Sequence, residues 1–325
     1  MKKSPLVTVL MATYNGAMHI NEQIDSVLSQ TYNNIELVIA DDGSSDDTVE
    51  IIRSYAQSHT NVKVHFNHER LGFLKNFEQL LQNAQGQYFA LADQDDIWES
   101  NKIKMLMTAM ITKEKEFPDT SVMVHSDLKM IDEKGVLLFP SYARFRNYHY
   151  SKTKDIPTMI SKGGVMGNTI LINEKLRNLV LPFDPNVVHH DYWIAVINEL
   201  FGHRVSLGEA LVSYRIHKYN ASNKLQLLNK KNRLKGTQKL LPYQDNNRYK
   251  VLKGILGRYS IVQEDKRSLI IFMQYLRTQS GWIKLYPTMV KEGFFKNNIY
   301  SHSKLLGRFA LASWKTNSIR SLKPA

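Results

Sequence analysis

Strand-like and helix-like patterns alternate along the first hundred residues, and this alternation limits the possible folds more than any other feature of the chain. Residues 6–11 form a β-branched run of buried-strand length, and apolar residues then recur at helical spacing over 20–28. Further strands are predicted over 35–40, 62–66 and 88–92, and helices from Ser45, over 73–81 and over 99–113. Such alternation favours right-handed βαβ units and a mainly parallel sheet flanked by helices, which is the α/β class.

The distribution of charge divides the chain into two regions. The net charge of the 325 residues is +13. Residues 1–222 contain 22 Lys and Arg against 26 Asp and Glu, whereas residues 223–325 contain 21 against 4. The second region is therefore strongly basic, and its apolar residues recur at helical spacing. We expect an α/β domain over 1–222 and a basic, mainly helical region over 223–325.

The composition also excludes several classes of protein. Cysteine is absent, so the chain has neither disulfides nor thiolate metal sites. The short apolar run near the N-terminus lacks the length and the cleavage site of a signal peptide. No window approaches the roughly 20 apolar residues that span a bilayer. We therefore expect a cytoplasmic protein.

Polar clusters follow three of the predicted strands. They are residues 13–16, 41–45 and 93–96, with the sequences Thr-Tyr-Asn-Gly, Asp-Asp-Gly-Ser-Ser and Asp-Gln-Asp-Asp. In an open parallel sheet, ligands bind beyond the carboxyl ends of the strands. We therefore expect these loops to line one edge of the sheet and to form a site.

The cluster at 93–96 is the most specific of the three. Three carboxylates in four residues repel one another unless a cation compensates them. Mg²⁺ and Mn²⁺ prefer oxygen ligands and often take one or two carboxylates, with phosphate and water completing the shell. The cluster therefore predicts a metal–diphosphate site, and the alternative is a solvated loop that caps the next helix. Asp42 in the second cluster is suited to accept a hydrogen bond from the N3–H of uracil or thymine, or it is an ordinary turn residue.

Taken together, these segments resemble the inverting family 2 glycosyltransferases, which have the GT-A fold. The resemblance covers residues 1–222, and its order and spacing match as well as its residues. It rests on residues 8–16, 29–31, 36–44 and 92–98. The form Asp-Gln-Asp-Asp-Ile-Trp with Asn101 and Lys102, and the later segment 190–193, resemble the bacterial rhamnosyltransferase branch.

The resemblance implies roles for individual residues. A divalent metal, Mn²⁺ or Mg²⁺, would be bound by Asp95, with Asp93 and His217 as further ligands, although a lone His is often structural. The expected donor-binding residues are Thr13, Tyr14, Asn15, Asp42, Asn76, Asp93 and Lys102.

The resemblance places the acceptor side of the site in the second half of the domain. Asp191 would be the catalytic base, and the alternative is that it only caps the following helix. The expected acceptor-side residues are Gly164, Met166, His190 and Trp193. For the glycine-rich segment 163–168, a tight turn before a strand is an equally good interpretation.

The basic region 223–325 contains clusters such as 230–235 interleaved with aromatic residues. Such helices suit an anionic membrane surface, and they would also suit nucleic acid. A third alternative is a helical appendage whose cations are solvated. Because a polyprenyl-linked acceptor would lie at the inner face of the plasma membrane, we predict peripheral attachment there and no nucleic acid. The apolar stripes of these helices would also suit a homodimer.

The sequence thus predicts transfer of a sugar, L-rhamnose from dTDP-rhamnose, onto a lipid-linked cell-surface polysaccharide with inversion. Two alternatives are retained. One is a transferase that uses a UDP-hexose donor, and the other is a nucleic-acid-binding protein that uses the basic C-terminal arm.

Overall fold

The computed structural model describes residues 4–148, 151, 153–218, 220, 246–277 and 282–294. The chain divides into two compact units. One comprises Met1–Asp155 with Gly163–Asn220, and the other comprises Ile156–Lys162 with Ala221–Ala325. The helix at 156–162 therefore groups with the C-terminal residues, whereas the predicted division at residue 222 left it in the first domain.

Within the described residues, one nine-stranded sheet forms the centre of the first unit, in the order β3-β2-β1-β4-β8-β6-β9-β5, with β7 paired to β6. Strands β1 to β4 pair in parallel, as do β6 and β9, while β5, β7 and β8 are antiparallel to their neighbours. The strands are β1 (Val7–Thr13), β2 (Ile35–Asp41), β3 (Val62–Phe66), β4 (Tyr88–Ala92), β5 (Ile97–Trp98), β6 (Ser121–Ile131), β7 (Leu137–Phe139), β8 (Ile170–Asn173) and β9 (Gly202–Arg215).

Helices flank this sheet. Those of the first unit are α1 (Ile20–Leu28), α2 (Thr48–Ser58), α3 (Phe73–Asn83), α4 (Lys102–Glu116), α5 (Tyr142–Arg146), α7 (Glu174–Val180) and α8 (His190–Phe201), together with the 3₁₀ turn Gly167–Thr169. The second unit contains α6 (Ile156–Lys162) and three C-terminal helices, Asn246–Arg258, Gln263–Arg277 and Trp282–Lys291.

The core is built around β1, which lies between β2 and β4. Residues 7–11 are fully buried, which explains why this strand is almost entirely apolar; Thr8, the polar residue among them, donates to the Glu36 carboxylate at 2.6 Å. Helix α1 buries Ile20, Ile24 and Val27, which share one face at helical spacing. Thr13 lies opposite Asp41 in the register, and Met11 lies opposite Ala92. The loops after β1, β2 and β4 therefore open at the same edge of the sheet.

Element boundaries differ from the predictions in two places that affect the site. Helix α2 begins at Thr48 rather than near Ser45, because the Asp46 carboxylate accepts a hydrogen bond from the Thr48 amide at 3.1 Å and ends the loop there. Strand β5 was not predicted, since it has only two residues and its partner β9 lies more than a hundred residues further along the chain.

The described part of the second unit is a small helical assembly. Arg248 donates to the carbonyl of Ser161 at 2.6 Å, and the rings of Phe272 and Phe294 stack at 5.6 Å. Leu252 and Leu269 are fully buried. The basic cluster at 230–235 lies outside the described residues. Among the residues that are described, none of the helices combines the length and the apolar character needed to span a membrane.

Candidate active site

The loops after β1 and β4 are joined by Gln94. Its Oε1 accepts hydrogen bonds from the Thr13 hydroxyl at 2.6 Å and the Tyr14 amide at 2.9 Å, and its Nε2 donates to the Tyr14 carbonyl at 3.1 Å. A Cβ at Gly16 would lie 2.5 Å from Gln94 Oε1, so only glycine leaves room for this approach. The structure therefore uses Gln94, to which sequence analysis assigned no role, to hold the first loop against the acidic loop.

The loops after β1 and β2 are also connected. Asn15 adopts the left-handed conformation, with a φ of 49°, and its amide donates to the Ser44 hydroxyl at 2.8 Å. The Ser45 amide donates back to Asn15 Oδ1 at 2.8 Å. Gly16 donates to the Thr48 hydroxyl at 2.8 Å. Asn15 is thus a connecting residue of the loop, whatever it contributes to the donor.

Asp42 is buried at the end of β2 and holds the segment that follows β3. Its carboxylate accepts hydrogen bonds from Asn67 Nδ2 at 3.0 Å, the Leu71 amide at 2.7 Å and the Gly72 amide at 2.8 Å. A carboxylate offers about four acceptor positions, so one remains for a ligand. Asn76, also buried, accepts from Asn67 at 3.2 Å and donates to the Ala40 carbonyl at 2.8 Å. Asn76 therefore connects Asn67, one of the hydrogen-bond donors to Asp42, to the end of strand β2.

An exposed arginine, Arg70, directly precedes the Leu71 amide that binds Asp42. The Arg70 guanidinium lies 3.8 Å from the centroid of the Tyr14 ring, in cation–π contact. A guanidinium held beside an aromatic ring can stack on a base or pair with a phosphate. Sequence analysis did not single out Arg70, because an exposed loop cation has no distinguishing pattern.

The metal ligands predicted from the sequence come together in part. His217 Nε2 lies 2.7 Å from Asp95 Oδ2, and Asn220 donates to the same oxygen at 3.3 Å. The two side chains are largely buried, with 14 % of Asp95 and 9 % of His217 exposed. Asp93 lies two residues earlier in the same loop and is partly buried. Asp95 and His217 thus meet even though they are 122 positions apart in the sequence.

Arg215 fixes the acidic loop from below. Its side chain is almost fully buried and donates to the Asp95 carbonyl at 3.0 Å, to the Glu133 carbonyl at 3.0 Å and to the Glu22 carboxylate at 2.7 Å. One guanidinium therefore connects the acidic loop, helix α1 and the turn between β6 and β7. Its positive charge also offsets part of the negative charge of the loop.

Asp96 and Lys102 are fully buried beneath this loop and are bridged by Asn168. Asn168 Nδ2 donates to Asp96, and its carbonyl accepts from Lys102 Nζ at 2.6 Å. Burial raises the pKa of Asp96 well above its usual value, and the charges of Asp95 and Asp93 raise it further. Burial lowers the pKa of Lys102 well below its usual value, while Asp96 and Asp93 oppose that shift. Because Lys102 has no exposed surface, the structure makes it a support for the loop rather than a direct donor contact.

This donor set fits a divalent ion that is shared with a diphosphate. Asp95 and His217 offer an oxygen and a nitrogen side by side, and the buried Nε2 of His19, whose ring lies 5.4 Å from that of His217, has no hydrogen-bond partner among the described residues. Among the described residues, no three His, Asp or Glu side chains lie together so that they could hold a metal ion by themselves. Mg²⁺ and Mn²⁺ commonly bind with so few protein ligands when phosphate oxygens complete the shell.

The acceptor side is organised around Gly167. A Cβ at this position would lie 2.6 Å from His190 Nε2 and 3.7 Å from the Cβ of Asp191. The His190 ring stacks on Phe77 with centroids 4.4 Å apart, and neither ring nitrogen has a hydrogen-bond partner among the described residues. Burial lowers the pKa of His190 to about 4, so the ring is neutral at pH 7. Both ring nitrogens are buried, so His190 packs against Phe77 and Gly167 and does not face solvent.

Asp191 lies in the first turn of α8 but does not cap it. The helix begins at His190 with His189 at the N-cap position, and the cap-only interpretation of Asp191 is therefore wrong. The carboxylate is partly exposed and accepts from the Tyr192 amide at 2.7 Å. Such a carboxylate is fixed in place and accessible.

The other predicted acceptor-side residues divide into two groups. Gly164 adopts a φ of +94°, and its Cβ position lies 3.6 Å from the ring of Tyr148. Met166 is partly buried, and its carbonyl accepts from the Thr169 amide at 3.0 Å. Trp193, by contrast, is fully buried and donates to the Val180 carbonyl at 2.9 Å. Trp193 is therefore a core residue and cannot contact an acceptor without a rearrangement of α8.

One dipeptide, Gly167–Asn168, contacts both the acidic loop and the start of helix α8. Gly167 packs against His190 and Asp191, and the next residue, Asn168, binds the carboxylate of Asp96. The candidate base and the acidic loop are thus held by consecutive residues of the 3₁₀ turn. Residues of this turn are tightly packed, so the spacing between the two halves is set by the fold.

Comparisons with known proteins agree with this geometry. The family model described as glycosyl transferase family 2 matches residues 8–174, just over half of the chain. An uncharacterized glycosyltransferase of Rickettsia typhi is 31% identical over 228 residues, which are 68% of this chain and 67% of that protein. The Escherichia coli UDP-Glc:alpha-D-GlcNAc-diphosphoundecaprenol beta-1,3-glucosyltransferase WfgD is 27% identical over 227 residues, which are 69% and 82% of the two chains.

Among solved structures, the mannosyltransferase PcManGT from Pyrobaculum calidifontis, in complex with GDP-Man and Mn²⁺, superposes with a TM-score of 0.57 at 16% identity, over 97% of this chain and 82% of that one. This likeness concerns the fold, and it confirms the predicted GT-A architecture. With the family model and the relatives, it leads to one conclusion: the chain is a glycosyltransferase that belongs to glycosyl transferase family 2.

Proposed function

We propose that the protein transfers a hexose or deoxyhexose from a uridine or thymidine diphosphate sugar to a hydroxyl group of a polyprenyl-linked saccharide, with inversion at the anomeric carbon. The observation that carries this proposal is the packing of the dipeptide Gly167–Asn168, since it holds the candidate base, Asp191, beside the acidic loop, which is the candidate diphosphate site. The family assignment also leaves no need for a nucleic-acid-binding protein as an account of residues 1–222.

The donor would bind along the loops after β1, β2 and β4. The remaining acceptor position of Asp42 suits the N3–H of uracil or thymine, while Tyr14 and Arg70 border the same pocket. The proposed metal ligands are Asp95, Asp93 and His217, and an Mn²⁺ or Mg²⁺ ion bound there stabilises the negative charge of the leaving diphosphate. Arg215 supports this loop and lowers its net negative charge.

The proposed transfer is a single displacement. The acceptor oxygen forms a bond to the anomeric carbon as the bond from that carbon to the diphosphate oxygen breaks, and the nucleoside diphosphate leaves with the electron pair. Asp191 receives the proton of the acceptor hydroxyl as general base. Its place in the first turn of α8, next to Gly167, fixes the position of this carboxylate, and the buried ring of His190 packs beside it.

Two donors compete within this proposal. The sequence of residues 93–98 and 190–193 favours dTDP-rhamnose, because it has the rhamnosyltransferase-like form. Similarity to a relative whose name specifies UDP-Glc and a diphosphoundecaprenol-linked acceptor favours a UDP-hexose, and it also supports the lipid-linked acceptor.

A donor panel with two matched variants tests the proposal. UDP- and dTDP-sugars are screened with Mn²⁺ or Mg²⁺ by calorimetry and by donor hydrolysis. We expect Asp191→Asn to lose at least about a hundredfold in turnover while binding the donor normally, and Asp95→Asn to lose donor affinity as well. Asp119→Asn, at an exposed loop position, is the control. Normal turnover of Asp191→Asn, or binding of no nucleotide sugar at all, would contradict the proposal.

A further inference from the structure

The β6–β7 hairpin presents apolar side chains to solvent on both faces of its second strand. Val136, Leu137 and Leu138 are 59%, 54% and 36% exposed. Successive residues of a strand point to opposite faces, so a strand that covers a core exposes only every second side chain. Here neighbouring leucines on both faces are exposed, which means that neither face of this end of the hairpin is used for packing in the first unit.

The tip of the hairpin is a well-formed turn. Asp132 Oδ1 accepts hydrogen bonds from the amides of Lys134 at 2.9 Å and Val136 at 2.8 Å, and Gly135 takes a φ of +83°. The Asp132 amide donates to the Val136 carbonyl at 2.9 Å. The apolar side chains are therefore held outward by a defined turn. Exposed apolar edge strands promote aggregation and are usually avoided in soluble proteins unless a partner covers them.

The surroundings of the hairpin indicate which partner this is. The turn carries the exposed carboxylate Glu133 beside Lys134, and α5 adds the exposed cations Arg144 and Arg146, so exposed cations outnumber exposed carboxylates by three to one in these two segments. Helix α5 is attached to β7 through the contact of Phe139 with Phe145, whose rings lie 4.6 Å apart. Apolar side chains flanked by Lys and Arg match the boundary of an anionic bilayer, where the side chains enter the acyl region and the cations meet lipid phosphates.

The hairpin is connected to both halves of the active site. Arg215 donates to the Glu133 carbonyl in the turn and to the Asp95 carbonyl in the acidic loop, both at 3.0 Å. On the predicted acceptor side, the ring of Tyr142 in α5 lies 6.2 Å from the ring of Tyr148, and Tyr148 lies 3.6 Å from the Cβ position of Gly164. A surface that is bound by the hairpin would therefore stand at a fixed distance from the candidate base.

We propose that residues 132–139 form a membrane-inserting hairpin that holds the acceptor side of the active site at the surface of an anionic bilayer. The inference rests on the proposed function in so far as that function supplies a lipid-linked acceptor. It assigns the membrane contact to the first unit, in addition to the contact that the sequence predicts for the basic C-terminal region.

Vesicle binding by a triple variant tests the hairpin. The full-length protein and the variant Val136→Ser/Leu137→Ser/Leu138→Ser are sedimented with vesicles of phosphatidylcholine containing about one third phosphatidylglycerol. The control is Val262→Ser, an apolar position that is 66% exposed in the second unit. At about 0.5 M salt, which screens the basic region, we expect the triple variant to bind at least roughly tenfold more weakly than the control.

Depth of insertion gives a second readout that does not depend on affinity. Leu137→Trp should show a blue-shifted emission that is quenched by lipids brominated on the acyl chains, whereas Val262→Trp should show neither change. Equal quenching of the two tryptophans would overturn the proposal. So would equal vesicle binding by the triple variant and the control, or a change in oligomeric state alone, which would indicate a second copy of the chain as the occupant.

These outcomes are separable from those of the proposed function. The three hairpin side chains are not among the proposed donor-binding residues, so the triple variant should bind and hydrolyse nucleotide sugars normally, and it should lose transfer mainly to acceptors in vesicles. If no nucleotide sugar binds but the hairpin still inserts, the proposed function fails and the hairpin inference stands. If donors bind and the hairpin does not insert, the reverse holds.

Discussion

Replacing Gly167 by alanine should separate the two halves of the active site. The added Cβ would lie 2.6 Å from His190 Nε2 and 3.2 Å from its Cε1, whereas ordinary contact begins near 3.4 Å. The φ of Gly167 is not in the left-handed region, so backbone strain adds nothing to this overlap. The whole effect therefore comes from the contact with the imidazole ring.

The ring has little room to yield. It stacks on Phe77 at 4.4 Å and contacts Phe73 at 5.0 Å, and it is almost fully buried. Relief of the overlap requires a shift of about 0.8 Å, shared between the 3₁₀ turn and the first turn of α8. Overpacking of this kind costs about 1–3 kcal/mol. A displacement of roughly 1 Å between catalytic groups can reduce the rate by about a hundredfold.

The assay compares four variants, Gly167→Ala, Gly208→Ala, His190→Ala and the double variant Gly167→Ala/His190→Ala, in transfer kinetics and in urea unfolding. Gly208→Ala is the matched control, because a Cβ there meets nothing within 4 Å and its φ is not in the left-handed region. The double variant Gly167→Ala/His190→Ala removes the ring that causes the overlap. It should regain most of the free energy of unfolding that Gly167→Ala loses, relative to His190→Ala alone.

Two results would refute this reasoning. The first is a Gly167→Ala enzyme whose kcat/KM stays within about threefold of the wild-type value, because the close packing would then not position Asp191. The second is additivity of the two substitutions in the free energy of unfolding, because the imidazole would then not be the group that the new methyl contacts.

Three further predictions concern the residues that support the site. Burial lowers the pKa of His190 to about 4, while an unfolded His titrates near 6.5. The free energy of unfolding should therefore fall by about 3 kcal/mol in total as the pH drops from about 6.5 to about 4. His190→Leu should lack this loss when the two proteins are compared by urea unfolding. Asp42→Asn places an amide NH₂ against one of the two backbone donors, Leu71 or Gly72, which bind different oxygens of the carboxylate, and it should cost about 1–3 kcal/mol, measured by thermal unfolding, with weaker UDP or dTDP binding. Gln94→Glu keeps the hydrogen-bond acceptor but loses the N–H group that donates to the Tyr14 carbonyl. It should lower the affinity for the nucleotide sugar in calorimetry without changing the secondary structure seen by circular dichroism.

Much of the fold could be predicted because it depends on local patterns. The strands at 62–66 and 88–92 coincide with the predicted ranges, since both are short apolar or β-branched runs bounded by polar turns. The length of β9, which runs over Gly202–Arg215, could not be predicted from its own sequence. Its ends are set by pairing with β6 and β5, and pairing partners are not encoded in the periodicity of a single strand.

In the candidate site, too, the local features could be predicted and the long-range contacts could not. Its loops were predictable because strand ends and polar clusters are visible in the sequence. The bridging roles of Gln94 and Asn168 were not, because each depends on contacts with residues 66 to 81 positions away. Lys102 shows the opposite case, since the resemblance implies a donor contact for it, whereas helix α4 turns it into the core against the Trp98 ring.

The three carboxylates of the acidic loop illustrate why such a cluster can exist at all. Asp96 is buried, where its raised pKa and its hydrogen bonds from Asn168 and the Arg215 amide reduce its effective charge. Asp95 is matched with His217 near the surface. Asp93 is partly exposed, and its charge acts on both Asp96 and Lys102. The three positions differ in burial and in partners, so the cluster combines one buried carboxyl, which Asn168 binds, with two partly exposed carboxylates, which are the proposed metal ligands.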